Sequence, residues 1–221
     1  VKNTGTIKSN GKSGGKITIT AQETITNQGN IEAKGSVTAS TALTKETADK
    51  GGEIVLTAND VINEGEINAS GQIGGQVTIT ASQIINEGQI YANGDIGGQI
   101  TLTASQIINE GQINADGQLG GQVTLSADDI TFGEDAEISA RSLGEGFLDP
   151  ASWAQTIAQG DQAAVTAAEI PVEVLLEMAD YQPPQITIEA KHKVELTGQL
   201  DVSSLNHDGG TLTIKADAAQ F

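Results

Sequence analysis

GGEIVLTANDVINEGEINASGQI (51–73), GGQVTITASQIINEGQIYANGDI (74–96) and GGQITLTASQIINEGQINADGQL (97–119) are one sentence written three times. A diverged fourth copy opens at Gly120, so the step is 23 residues each time. A fixed period of this length marks a solenoid whose coils bury their apolar faces only against their neighbours. Within GGQVTITA, Val77 and Ile79 point one way and Thr78 and Thr80 the other, the alternation of a strand. QIINEGQIYA supplies Ile84 and Ile85, a turn at Asn86-Glu87-Gly88, then Ile90 and Ala92. No stripe at helical spacing runs through the copies, and β-branched residues dominate the apolar set. Strands rise about 3.3 Å per residue, so one copy makes one circuit of two or three short strands. The expected fold is an all-β solenoid: a right-handed parallel β-helix of roughly six to seven coils, about 30 Å long at one strand spacing per coil.

The register continues outside the clear copies. Gly14-Gly15 opens KITIT, Pro183-Pro184 opens QITIE, and Gly209-Gly210 opens TLTIK. An Asn-x-Gly-x-Ile turn recurs at Asn3, Asn27, Asn63, Asn86 and Asn109. Asn and Gly tolerate positive φ, which gives these turns a mechanism. A stacked Asn column also bonds along the coil axis, and this one is read as structural.

Composition narrows the function classes. Among 221 residues, Gly is abundant at 27 and aromatics are only 3%, as in thin β coils. Cysteine is absent, so neither a disulfide frame nor thiolate chemistry is available. No stretch approaches the roughly 20 apolar residues of a membrane span, and no signal peptide is present. The net charge of −18 and a single Arg, Arg141, argue against nucleic acid, whose phosphates need Lys and Arg.

The acidity has two readings. One is solubility and resistance to edge-to-edge aggregation. The other is a cation site: Glu64, Glu87 and Glu110 share one repeat position, and a stacked row of carboxylates attracts a divalent ion such as Ca²⁺. The GGxGxDxUx nonapeptide of Ca²⁺-binding repeat-in-toxin rolls is absent, and no other cofactor is expected.

Two interruptions divide the chain. Residues 1–143 form coils with a polar loop insertion at about 38–50 (TASTALTKETADK), and residues 184–221 form the final coils. Between them, 144–183 lose the β pattern. Asp149-Pro150 reads as an N-cap with Pro at the first helical position, opening ASWAQTIAQ. PVEVLLEMAD places Val172, Leu175, Leu176 and Met178 mostly on one side and ends before Pro183-Pro184. One reading lays these short helices on the flank of the coils. The other makes Trp153, Ile157, Leu175 and Met178 a partner-binding protrusion, because insertions on solenoids often carry binding.

GGQVTITASQIINEGQI and its copies resemble the repeats of filamentous-haemagglutinin-type exoproteins, the β-helical passengers of bacterial two-partner secretion. The resemblance covers about 1–141 and 185–221, and its motifs are shared by many β-helices. It implies a secreted, cell-surface adhesin, filament or stalk without catalysis, facing a host or neighbouring-cell surface or glycan. The secretion domain's N-terminal cap and signal are not in this chain. The opening residues match the closing half of a coil and the final residues an opening half, so further β-helix copies or stacked subunits are expected at both ends.

Two alternatives come from other classes. A carbohydrate-active β-helix enzyme needs clustered acids. The densest patch here is Asp128-Asp129 with Glu134-Asp135, while His192 and His207 look isolated. An ice-binding protein needs a flat TxT array. Thr18/Thr20, Val55/Thr57, Thr78/Thr80, Thr101/Thr103 and Thr124/Ser126 form one, broken by Val55, Glu189 and Lys215.

Overall fold

Gln76–Thr80, Gln83–Asn86 and Gln89–Tyr91 make one complete circuit, and each strand lies parallel to its equivalents in the coils above and below. The computed structural model describes residues 1–36, 49–143, 183–204 and 209–220. Among them are twenty strands and no helix, and every strand pairing is parallel. The protein is a parallel β-helix. The first and second runs of each coil belong to a 13-stranded sheet, and the third runs form a 7-stranded sheet. The first two runs share a sheet because they fuse into single strands in the later coils, Gln122–Phe132 and Gln185–Leu196.

The repeat step appears directly in the contacts between coils. Gln76 bonds Gln99 across 23 residues, Lys16 bonds Glu53 across 37, and Lys215 bonds Glu189 across 26. The longer step over the first insertion leaves the register intact, with Ile17 opposite Ile54 and Ile19 opposite Leu56. Lys50, at the end of that insertion, already pairs with Ile73. Residues 37–48 lie outside the described residues. So do 144–182, and with them the expected helices and Trp153, Ile157, Leu175 and Met178.

The interior is a set of columns. Ile79, Leu102 and Leu125 stack in register, as do Val77, Ile100 and Val123, all at 0% exposure. Ile31, Ile67, Ile90, Ile113 and Ile138 line the opposite sheet. Burying each such side chain contributes about 1.5–3 kcal/mol, so stability accumulates coil by coil.

The corners work differently from the expectation. No described glycine adopts the left-handed region of φ, between +20° and +160°. What excludes a side chain is close approach: a Cβ on Gly88 would sit 2.1 Å from the Gly65 carbonyl oxygen, and one on Gly75 would sit 2.1 Å from that of Gly52. Successive coils pack backbone against backbone at these columns, and only Gly leaves room.

Candidate functional site

Several features of the described surface and its supports bear on function. The first is inside. Asn3, Asn27, Asn63, Asn86 and Asn109 form a buried ladder in which each Nδ2 donates to the next Oδ1 at 2.7–2.8 Å. The same donors reach backbone carbonyls of the next coil, as from Asn27 to Glu66 at 3.1 Å. Phe132 takes the next place in the column, and there Asn109 turns its Nδ2 to the Gly111 carbonyl at 3.1 Å. Every amide is occupied, so the ladder is a structural spine.

The second feature is the acidic row. Glu64, Glu87 and Glu110 follow directly on Asn63, Asn86 and Asn109, which pair in register, and all three are exposed. Glu64 accepts a bond from Gln28 at 2.8 Å. Among the described residues, no group of three or more His, Asp or Glu is arranged to hold a metal.

The third feature is an open recess of about 850 Å³ along the double-glycine corner, reaching from Ser13 to Gln122. Its floor resembles a phosphate cradle in composition, but its donors are used. The Gly51, Gly74 and Gly97 N–H groups already donate to the carbonyls of Ile73, Ile96 and Leu119 at 2.7–2.8 Å.

The fourth feature is two charged clusters. Glu32 is 4% exposed and is held by Asn10 at 2.9 Å, Lys34 at 3.3 Å and Lys8 at 3.6 Å. Burial alone would raise its pKa; the bonds from Asn10 and Lys34 and the two ammonium charges outweigh that and hold it below its ordinary value. Arg141 forks onto Asp116 at 2.6 and 3.1 Å while its backbone N–H donates to the other carboxylate oxygen at 2.7 Å. This repeats a corner pattern in which Ser70 caps the Asn93 N–H and Asn93 caps that of Asp116. Both clusters brace corners.

The acidic patch weighed for catalysis is engaged by the next coil. Lys191 lies 2.5 Å from Asp128, and His192 lies 3.8 Å from Asp129. An extra residue in Gln185–Leu196 shifts the register from Ala127 opposite Ala190 to Asp129 opposite Lys193, which brings these groups together. The Lys191 hydrogen bond holds the Asp128 carboxyl below its ordinary pKa. His207 lies outside the described residues.

The fifth feature is a column the residue pattern signalled but the sequence reading left unassigned. Ile62, Ile85 and Ile108 point outward and are partly exposed, one per coil in register. The signal was two adjacent apolar residues in a strand, as in Ile84-Ile85, which cannot both face the core. On the neighbouring face, Thr57, Thr80 and Thr103 are exposed and in register. No helix among the described residues is long and apolar enough to cross a membrane. No protein-family model, no curated protein and no solved structure matches this chain.

Proposed function

We propose that this chain is a structural and adhesive segment of a secreted bacterial cell-surface protein, in the manner of haemagglutinin-like exoproteins, and that it builds an extended stalk or filament. The supporting observation is the run of axial contacts: the buried Asn ladder from Asn3 to Asn109 lies beside apolar columns that continue into the later coils. Axial load on such a stack is shared by the several hydrogen bonds that join each coil to the next. In this reading the chain is not an enzyme. Its partners are further β-helix copies or subunits in line with it, and a host or neighbouring-cell surface or glycan.

The same reading takes the coil as right-handed, the sense that right-twisted strands favour in parallel crossovers. It keeps the insertion at 144–183 as short helices, so deleting that stretch should remove a helical component from the far-ultraviolet dichroism. Surface display is tested with an antibody raised against the segment. Labelling of intact source cells is expected; labelling only after permeabilisation overturns the reading. The exposed Thr57, Thr80 and Thr103 rank supports ice binding as a second reading, and thermal hysteresis of the purified segment decides it.

A further inference from the structure

We propose that the Ile62, Ile85 and Ile108 column, bordered by Glu64, Glu87 and Glu110, is a docking stripe for a basic amphipathic helix of another protein. The inference does not depend on where the protein resides.

The stripe is bounded on all sides. In its own column, Thr26 precedes Ile62 and Thr131 follows Ile108, so the apolar surface occupies three successive coils. The Glu row occupies the same three coils, because Gln28 stands before Glu64 and Gly133 after Glu110. Two repeat positions therefore change character together. In the coils on either side, the same outward position carries Thr26 and Thr131, and Thr has the same β preference while keeping the surface wet. Isoleucine at three neighbouring outward positions leaves part of its apolar area in water. On the other side of the stripe, Gln83 and Gln106 bond to each other at 2.7 Å, with Asp60 in the coil before them and Asp129 in the coil after.

Charge and spacing select the occupant. Across these three coils both borders carry only acidic or amide groups, and the whole chain is at −18. A second copy would press one acidic face against another, and an anionic partner would be repelled. A cationic partner gains attraction along the whole row. Coils repeat about every 4.8 Å, whereas alternate residues of an extended peptide repeat about every 6.6 Å and drift out of step within two coils. A helix turn advances about 5.4 Å, so apolar residues at i, i+4 and i+7 stay within about 1 Å of the three isoleucines. Lys or Arg beside that apolar face then meets Glu64, Glu87 and Glu110.

The test uses a synthetic helix of Leu, Ala and Lys with Leu at i, i+4, i+7 and i+11, and a scrambled peptide of the same composition. Binding to the whole chain is measured by fluorescence anisotropy. The ordered peptide should bind at least tenfold tighter than the scrambled one. The Ile62→Thr/Ile85→Thr/Ile108→Thr chain should lose that preference without a change in charge. Glu87→Gln, at an exposed position, should weaken binding and reduce its salt dependence while leaving the fold intact. Equal binding of the two peptides, or no effect of the isoleucine replacements, would mean charge alone and overturns the proposal. So would absence of binding, or sedimentation showing a wild-type dimer that the isoleucine replacements dissociate.

Discussion

Asn86 donates its Nδ2 to Asn109 Oδ1 at 2.7 Å, and both side chains are wholly excluded from solvent. That bond is one rung of a chain of amides all pointing the same way along the coil axis. Such a chain polarises its members cooperatively, and each rung leaves a partner stranded if it is removed.

Asn86→Leu should therefore lower stability by about 3 kcal/mol, since a stranded buried group costs roughly 1–3 kcal/mol and two are affected. Asn109 Oδ1 loses its donor, and Asn63 Nδ2 keeps only the Gln89 carbonyl at 3.3 Å. Asn109→Leu should cost about half as much, because it strands one partner and the next coil already presents Phe132. Urea denaturation of the two variants measures the difference; equal losses would contradict the ladder's polarity.

Leu102 lies between Ile79 and Leu125 at 0% exposure. Leu102→Ala should cost about 2–5 kcal/mol through lost burial and the cavity left behind. Leu102→Asp should abolish the cooperative transition, because the column offers no counter-charge. Thermal melts followed by dichroism distinguish the two, and a Leu102→Asp protein melting like wild type would disprove the inward column.

The glycine corners give a paired test. Gly88→Ala pushes a Cβ to 2.1 Å from the Gly65 carbonyl oxygen and should destabilise by more than about 2 kcal/mol. Gly5→Ala meets nothing within 4 Å and should be neutral or stabilising by about 0.4–1 kcal/mol through the stiffer unfolded chain. Equal destabilisation at both would point to backbone conformation instead of crowding.

Glu32 supplies a pH signature. Its folded pKa lies below its ordinary value of 4.5, so its contribution is present above that value and is lost as the pH falls through the folded pKa. Wild type should lose melting temperature on acidification across the acid limb below 4.5 more steeply than Glu32→Gln. Parallel acid limbs would show that the Lys8, Lys34 and Asn10 contacts carry no net stabilisation.

The Glu64, Glu87 and Glu110 row is exposed, and among the described residues no group of three or more His, Asp or Glu is arranged to hold a metal, so Ca²⁺ should act by screening. Added CaCl₂ and NaCl at matched ionic strength should raise the melting temperature equally. A larger rise with Ca²⁺, reversed by chelator, would establish a specific site.

The period-two alternation and the 23-residue step were enough to give parallel coils, the inward columns and the Asn spine. Those features follow from local rules: strand alternation divides residues between core and water, and a constant step lines up equivalents. What the repeat could not convey is anything set by the distance between coils. The need for glycine at the corners came from backbones so close that a Cβ would sit 2.1 Å from the next coil's carbonyl oxygen, which no φ preference encodes. The pairing of Lys191 and His192 with Asp128 and Asp129 depends on one extra residue in a strand some sixty positions later in the chain, and spacing alone gives no hint of it. The outward isoleucine column was written in the sequence as doubled apolar residues. Only the in-register stacking of Ile62, Ile85 and Ile108 turns three separate side chains into a surface, because parallel coils place them about one strand spacing apart.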